Sequence, residues 1–114
     1  LNVLGNGNQK KSYLHVNDCI EAIFKALIYK NNNYVNIYNL GNKNYISVKQ
    51  SIKIILDNLK LNPKLKFQKQ KRGWIGDVPF ILLDINKIKK TGWKPKFSIK
   101  ESIIDTLKFL KKKN

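Results

Sequence analysis

The sequence predicts an α/β chain of about four helices joined by short strands, and three observations carry that expectation. Asp18, Ser47 and Ser98 are each followed three residues later by an acid or amide, at Glu21, Gln50 and Glu101. That is the spacing of a capping box, in which the first side chain takes the amide of the third helical residue and the third side chain reaches back. Each box opens a stretch whose apolar residues recur three and four apart, the period of a one-sided helix. Between these stretches lie short β-branched and aromatic runs bounded by Gly, Asn or Pro, the pattern of strands.

Taken in order, residues 1–8 are an apolar start followed by Gly5-Asn6-Gly7-Asn8, which is turn chemistry. A dinucleotide fingerprint would need a third glycine opening a helix, and Gln9-Lys10-Lys11-Ser12 follows instead. Residues 13–16 read as a strand. Asp18 is expected to cap a helix that has one apolar face, Ile20, Ile23, Phe24 and Leu27, and runs out at Lys30. Residues 34–40 read as a strand closed by Gly41. Ser47 caps a second helix with Val48, Ile52, Ile55, Leu56 and Leu59 as its stripe, and Pro63 stops any continuation. Residues 64–67 alternate, placing Leu65 and Phe67 inward, and residues 80–83 read as a short extended run. Asp84 starts a short helix that Gly92 closes. Residues 93–97 are extended, because the residue before Pro95 avoids helix, and Trp93 reads as core. Ser98 caps the last helix, which turns Ile99, Ile103, Leu107 and Leu110 inward. Its closing Lys111, Lys112 and Lys113 suit the negative end of the helix dipole.

The 114 residues, 42% hydrophobic, suit one domain with a modest core and exclude a disordered tail. No apolar run is long enough to span a bilayer, and no signal peptide is visible. The chain does not begin with Met and opens as a fragment would. The lone Cys19 excludes an internal disulfide and points to a reducing, cytoplasmic setting. The single His15 and the absence of a Cys/His cluster argue against zinc; His15 reads as a packed, hydrogen-bonded residue. The net charge of +16 could signal nucleic-acid binding. The cations, however, are lysines spread along the chain, joined by an excess of Asn and Ile that looks like a bias toward AT-rich codons. Only residues 66–74 interleave lysines with aromatics.

The stretch with the most chemistry is Arg72-Gly73-Trp74-Ile75-Gly76-Asp77-Val78-Pro79. Arg72 is the only arginine, and its planar fork matches phosphate oxygens in a way a lysine cannot. Asp77 offers an acceptor for sugar hydroxyls. Gly73 and Gly76 let backbone approach a ligand, and Trp74 either walls a pocket or simply packs. A tight loop with a surface Arg–Asp pair is the alternative reading. Tyr45 and Lys49 have the Tyr-x-x-x-Lys spacing of a catalytic helix face, but Tyr45 precedes the Ser47 cap, so the two do not share a face.

Three ordered motifs span nearly the whole chain. They are Gln9-x-x-Ser12-Tyr13-Leu14-His15-Val16-Asn17-Asp18; Asn36-Ile37-Tyr38-Asn39-Leu40-Gly41 with Ser47; and Arg72-Gly73-Trp74-x-Gly76-Asp77 with Gly92-Trp93-Lys94-Pro95. Together they resemble the C-terminal part of the extended short-chain dehydrogenase/reductase family, the nucleotide-sugar epimerases and dehydratases such as UDP-glucose 4-epimerase.

The resemblance implies that residues 1–114 are the nucleotide-sugar-binding region of a Rossmann-fold enzyme. NAD and the catalytic Tyr/Lys pair would belong to an N-terminal Rossmann domain upstream. It implies diphosphate binding by Arg72, ribose binding by Asp77, and a second phosphate contact from Lys11, which stands where many members carry arginine. Lysine there keeps the charge and loses the fork. Two more residues separate Arg72 from Asp77 than in the best-known epimerase. Residues 34–40 would join the edge of the Rossmann sheet, and without that domain apolar surface would stay uncovered. The partners implied are a nucleotide-diphospho-sugar, the Rossmann domain and, compatibly, a second copy in a homodimer. Epimerase, dehydratase and reductase remain open. A basic nucleic-acid-binding domain or an inactive truncated remnant are the alternatives.

Overall fold

The computed structural model describes residues 1–78 and 80–113; the expectations that touch Pro79 and the Lys113 side chain lie outside the described residues. Four helices form, as the sequence predicts: α1 (Val16–Ile28), α2 (Val48–Leu59), α3 (Asn86–Lys89) and α4 (Ile99–Lys113). The strands are two-residue pieces in two separate pairs. β1 (Asn2–Val3) runs parallel to β4 (Lys66–Phe67), and β2 (Lys10–Lys11) runs antiparallel to β3 (Ile46–Ser47). Residues 13–15, 34–40 and 80–83 are not strands. Their apolar alternation is real, but the described residues supply no neighbouring strand to pair with it.

Two of the three expected caps form. Ser47, the last residue of β3, is also the N-cap of α2 with the full reciprocal box to Gln50. Ser98 Oγ accepts from Glu101 N at 3.2 Å while Ser98 N donates to Glu101 Oε2 at 2.8 Å. The Asp18 cap does not form. His15 is the N-cap of α1, its Nδ1 accepting from Asn17 N at 3.1 Å. Asp18 lies inside the first turn and its carboxylate is taken by tertiary donors: Lys96 N and Phe97 N, both at 3.1 Å. Its backbone oxygen accepts from Trp93 Nε1 at 2.9 Å. Glu21, the other half of the expected box, pairs with Lys96 at 2.7 Å. Both acids thus tie α1 to residues 93–97.

The core gathers at that tie. Trp93, Ile88, Ile85 and Ala22 are buried together, with Leu14, Ala26, Tyr38 and Leu40 packed against them. α2 and α4 pack on each other. Gly92, at φ +82°, ends the turn after α3 and lets the chain enter Trp93. α2 ends in Lys60 at φ 55°, a left-handed position, with its amide on Asp57 and Leu56 oxygens.

The apolar stripe of α1 faces out. Ile20, Ile23, Phe24 and Leu27 are exposed, Phe24 at 62% and Leu27 at 74%, while Ala22 is fully buried. The apolar face is present as the period predicts, and it faces outward because the small Ala22 and the bonded Asp18 hold the other face against Trp93. Leu110 and Phe67 are exposed as well. Among the described residues six hydrophobic side chains are buried and 25 large ones are exposed. The radius of gyration is 17.0 Å, against roughly 13 Å for a closed domain of this length. The fold is an open shell with broad uncovered apolar faces.

Asp18→Ala removes a buried carboxylate that accepts two part-buried backbone amides and is expected to cost on the order of 3 kcal/mol, against about 1 kcal/mol for Ser47→Ala. Urea unfolding of the two variants compares them. Equal losses would mean that Asp18 holds no more than an ordinary cap does.

Candidate functional site

The site grows from the turn that follows β1. Gly5 and Gly7 both have positive φ, +73° and +78°. A side chain at Gly5 would strike Gln9 Nε2 and press on the Arg72 carbonyl at 3.0 Å. The turn is laced to residues 68–70: Asn6 N donates to Gln70 O at 2.8 Å and Gln68 N to Gly5 O at 3.0 Å. Beyond it, the Gln9 and Gly7 carbonyls accept from Val48 N and Lys49 N, each at 3.0 Å, which satisfies the first amides of α2.

These constraints bring two of the expected site residues together. Lys11, at the end of β2 and opposite Ile46 on β3, donates through Nζ to Asp77 Oδ1 at 2.5 Å and to Val78 O at 2.8 Å. Asp77 Oδ2 accepts from Gly73 N at 2.9 Å, and Asp77 N donates to Trp74 O at 3.1 Å. Residues 73–77 therefore close as one small loop around the carboxylate. A Cβ at Gly73 would lie 3.3 Å from Asp77 Oδ2, so a side chain there would push the carboxylate by a few tenths of an ångström. The donors all favour the ionised acid. Asp77 is held below its ordinary value of 3.8, first by the Lys11 hydrogen bond and next by the Gly73 amide, with a further contribution from Gln9.

The other two expected residues stand apart. Arg72 is exposed and makes no hydrogen bond or ion pair among the described residues, so its fork is available. Trp74 is 65% exposed, and its ring lies over Gly76, where a Cβ would collide with it. It does not line the cavity beside Lys11. That cavity, about 200 Å³, is walled by Lys10, Lys11, Ser12 and Tyr13 on one side and by Leu40, Val78 and Ile81 on the other. Lys10 sits over the Tyr45 ring at 4.5 Å, and Tyr45 meets Phe80 edge to face. Lys49 lies over Phe67. Tyr45 and Lys49 thus go to different partners, as their placement about the Ser47 cap predicts.

His15 is buried and stacks on Phe97 at a centroid distance of 4.0 Å, with Nε2 3.1 Å from Asp105. With Nδ1 engaged at the α1 cap, both ring nitrogens have structural duties. A larger groove of about 710 Å³ opens beside it between α2 and α4, lined mainly by Leu14, Val16, Ile55, Ile103, Leu107 and Leu110. Among the described residues no cluster of His, Cys, Asp and Glu could hold a metal. No helix among them is long and apolar enough to cross a membrane. The residue that sequence reasoning passed over is Gln9, which stands in the first quoted motif without a role and is 4% exposed.

The mixed helix–strand arrangement is that of the Rossmann-type nucleotide-sugar enzymes. It superposes on the Thermotoga maritima UDP-glucose 4-epimerase solved with UDP-glucose at a TM-score of 0.84, with 24% identity over 99% of this chain and 35% of that one. The Bacillus cereus UDP-glucuronic acid 4-epimerase, solved with UDP-glucuronic acid and NAD, gives 0.78, with 24% identity over 96% of this chain and 35% of that one. At these identities the two structures speak for the fold alone. The family model described as GDP-mannose 4,6 dehydratase matches residues 1–106, and the chain belongs to that family of NAD-dependent epimerases and dehydratases. A putative UDP-glucose 4-epimerase of Methanocaldococcus jannaschii is 31% identical over 112 residues, 98% of this chain and 34% of the relative. The chain spans about a third of the length of the relatives it matches.

The turn at Gly5 and Gly7 and the start of α2 do not fit an NAD diphosphate. The open side of Gly7 is filled by Lys49 and the Phe67 ring, 2.6 and 2.7 Å from where a Cβ would stand. The amides at the start of α2 are spent on Gly7, Gln9 and Ser47, leaving no free helix N-terminus there for a phosphate.

Because Asp77 is depressed in the folded state, the stability linked to it is fully present above the ordinary carboxylate value and is lost as pH falls through the depressed one. Asp77→Asn should therefore flatten the acid limb, read as urea midpoints from about pH 6 to about pH 2 for both proteins. Glu101 is depressed by its Ser98 hydrogen bonds and contributes with the same sign in both, so it cancels in the comparison. Parallel curves would deny Asp77 its share.

Proposed function

We propose that residues 1–114 are the nucleotide-diphospho-sugar-binding region of an NAD-dependent epimerase or dehydratase. The observation that carries this reading is the meeting of Lys11 and Asp77 at 2.5 Å across 66 residues of sequence, on backbone held close by Gly73, with the free Arg72 at the mouth of the same loop. Lys11 and Arg72 are the cations for the two phosphates. Asp77 is the acceptor for the ribose. An ionised carboxylate has about four lone-pair sites. Lys11 and Gly73 take two, so the two hydroxyls of a ribose diol are accommodated without breaking the pair. Trp74 is free to fold over a bound ligand.

NAD and the proton-transferring tyrosine belong, in this reading, to a Rossmann domain elsewhere in the enzyme. The uncovered apolar faces favour such a partner: the α1 stripe, the residues 34–40 and the groove between α2 and α4 offer the surface that a covering domain would bury. This region positions the substrate, and positioning is where such an enzyme gains orientation. The half-buried lone Cys19 suits a cytoplasmic setting.

In the full-length enzyme, Arg72→Ala is expected to weaken UDP-sugar binding by about 1.5–3 kcal/mol, the range for a charged hydrogen bond, and Arg72→Lys to recover only part of it. Calorimetric titration with UDP and UDP-glucose measures both. Unchanged affinity in Arg72→Ala would overturn the assignment. The 114-residue chain with NAD is expected to turn over no UDP-sugar; measurable epimerisation by it would place catalytic groups within these residues.

A further inference from the structure

We propose that Gln9 is a positioning residue for the candidate site, fixing through its side-chain amide the place where Asp77 and Lys11 meet. The amide nitrogen lies at the centre of three segments. It donates to Leu4 O at 3.2 Å, and it stands 3.5 Å from where a Cβ on Gly73 would be, beside Asp77 Oδ2 at 3.3 Å from the same point. A carboxylate accepts only, and Nε2, with one hydrogen on Leu4 O, has its second to offer to Asp77. Gly5 makes room for this group, since a Cβ there would fall on Nε2 itself, and 68 residues on Gly73 brings its backbone into ordinary contact range of the same nitrogen.

The amide oxygen strengthens the inference. Oε1 is buried and has no hydrogen-bond partner among the described residues. An unmet buried acceptor is unfavourable, and a leucine or methionine would fill the space without it. The group is therefore retained for its nitrogen. Through its backbone oxygen Gln9 also accepts from Val48 N, so the same residue anchors the start of α2. The link runs from the helix, through Gln9, to the loop that carries Asp77 and Arg72, and Lys11 is two residues further along, at the end of β2.

The functional sense of this inference rests on the nucleotide-diphosphate reading above; the Gln9–Asp77 link does not. Two readouts separate them. In the wild-type protein without ligand, the Gln9 side-chain amide protons, followed by NMR, should shift with the same midpoint as the Asp77 carboxyl carbon. In Gln9→Leu and in the isosteric Gln9→Glu the Asp77 midpoint should rise, more in Gln9→Glu because a second carboxylate faces it. UDP affinity should fall about five- to tenfold in both, the range for one lost hydrogen bond. A packing role alone would lower stability in the variants and leave the Asp77 midpoint where it was. Amide protons in the wild type that ignore the Asp77 titration would overturn the link without any variant having to fold. A raised Asp77 midpoint with unchanged UDP affinity would overturn the positioning role. Failure of the wild-type protein to bind UDP would count against the nucleotide-diphosphate reading and against the functional half of this one, while the titration still decides the link.

Discussion

The carboxylate of Asp18 is the joint on which this fold turns. It is buried, it lies in the first turn of α1, and it accepts the amides of Lys96 and Phe97. Without it two part-buried backbone donors of the extended segment would lose their acceptor, so the acid and the segment support one another. The peptide oxygen of the same residue fixes Trp93 Nε1, and the Trp93 ring supplies most of the small core with Ile85, Ile88 and Ala22. The path of α4, the stacking of His15 on Phe97 and the outward turn of the α1 stripe all follow from that joint.

The same joint explains what could and could not be read from the residues. Ser47 and Ser98 cap helices because nothing else competes for them, and a local motif then keeps its local meaning. Asp18 has the same spacing to Glu21, yet a tertiary donor pair 78 and 79 residues away claims it, and His15 takes the cap. The α1 periodicity gives a helix and an apolar side but not a direction; direction depends on what the helix packs against. Residues 34–40 have the composition of a strand without a strand beside them, and pairing partners are a property of the whole sheet. The meeting of Lys11 with Asp77 follows from the family's ordered motifs rather than from spacing, whereas the role of Gln9 depends on two distant glycines and has no local signature.

An open shell and a well-made loop coexist here for one physical reason. Hydrogen-bonded loops need only a few short-range donors, and the loop at residues 73–77 obtains them from its own backbone and from Lys11. Closing a core needs area, and the helices direct much of theirs outward. A site on such a shell has its polar contacts in place while its apolar walls are still incomplete.

The charge of the chain makes the same point from the other side. Lysines are so numerous that the position of any one carries little information, whereas the acids are only seven. Each has a partner: Asp18 the amides of residues 96 and 97, Glu21 Lys96, Asp57 Lys53, Asp77 Lys11, Asp84 the Asn86 amide, Glu101 Ser98, and Asp105 His15. Five of these hold helices or join them. The Lys53–Asp57 pair is an exposed i,i+4 contact of the kind that contributes little. Asp77 alone holds a loop, closed by the Gly73 amide and paired with Lys11, which lines the small cavity. In a sequence saturated with one sign of charge, the scarce opposite sign marks the places where geometry is specified, and Asp77 is the one such place that helix and core construction do not account for.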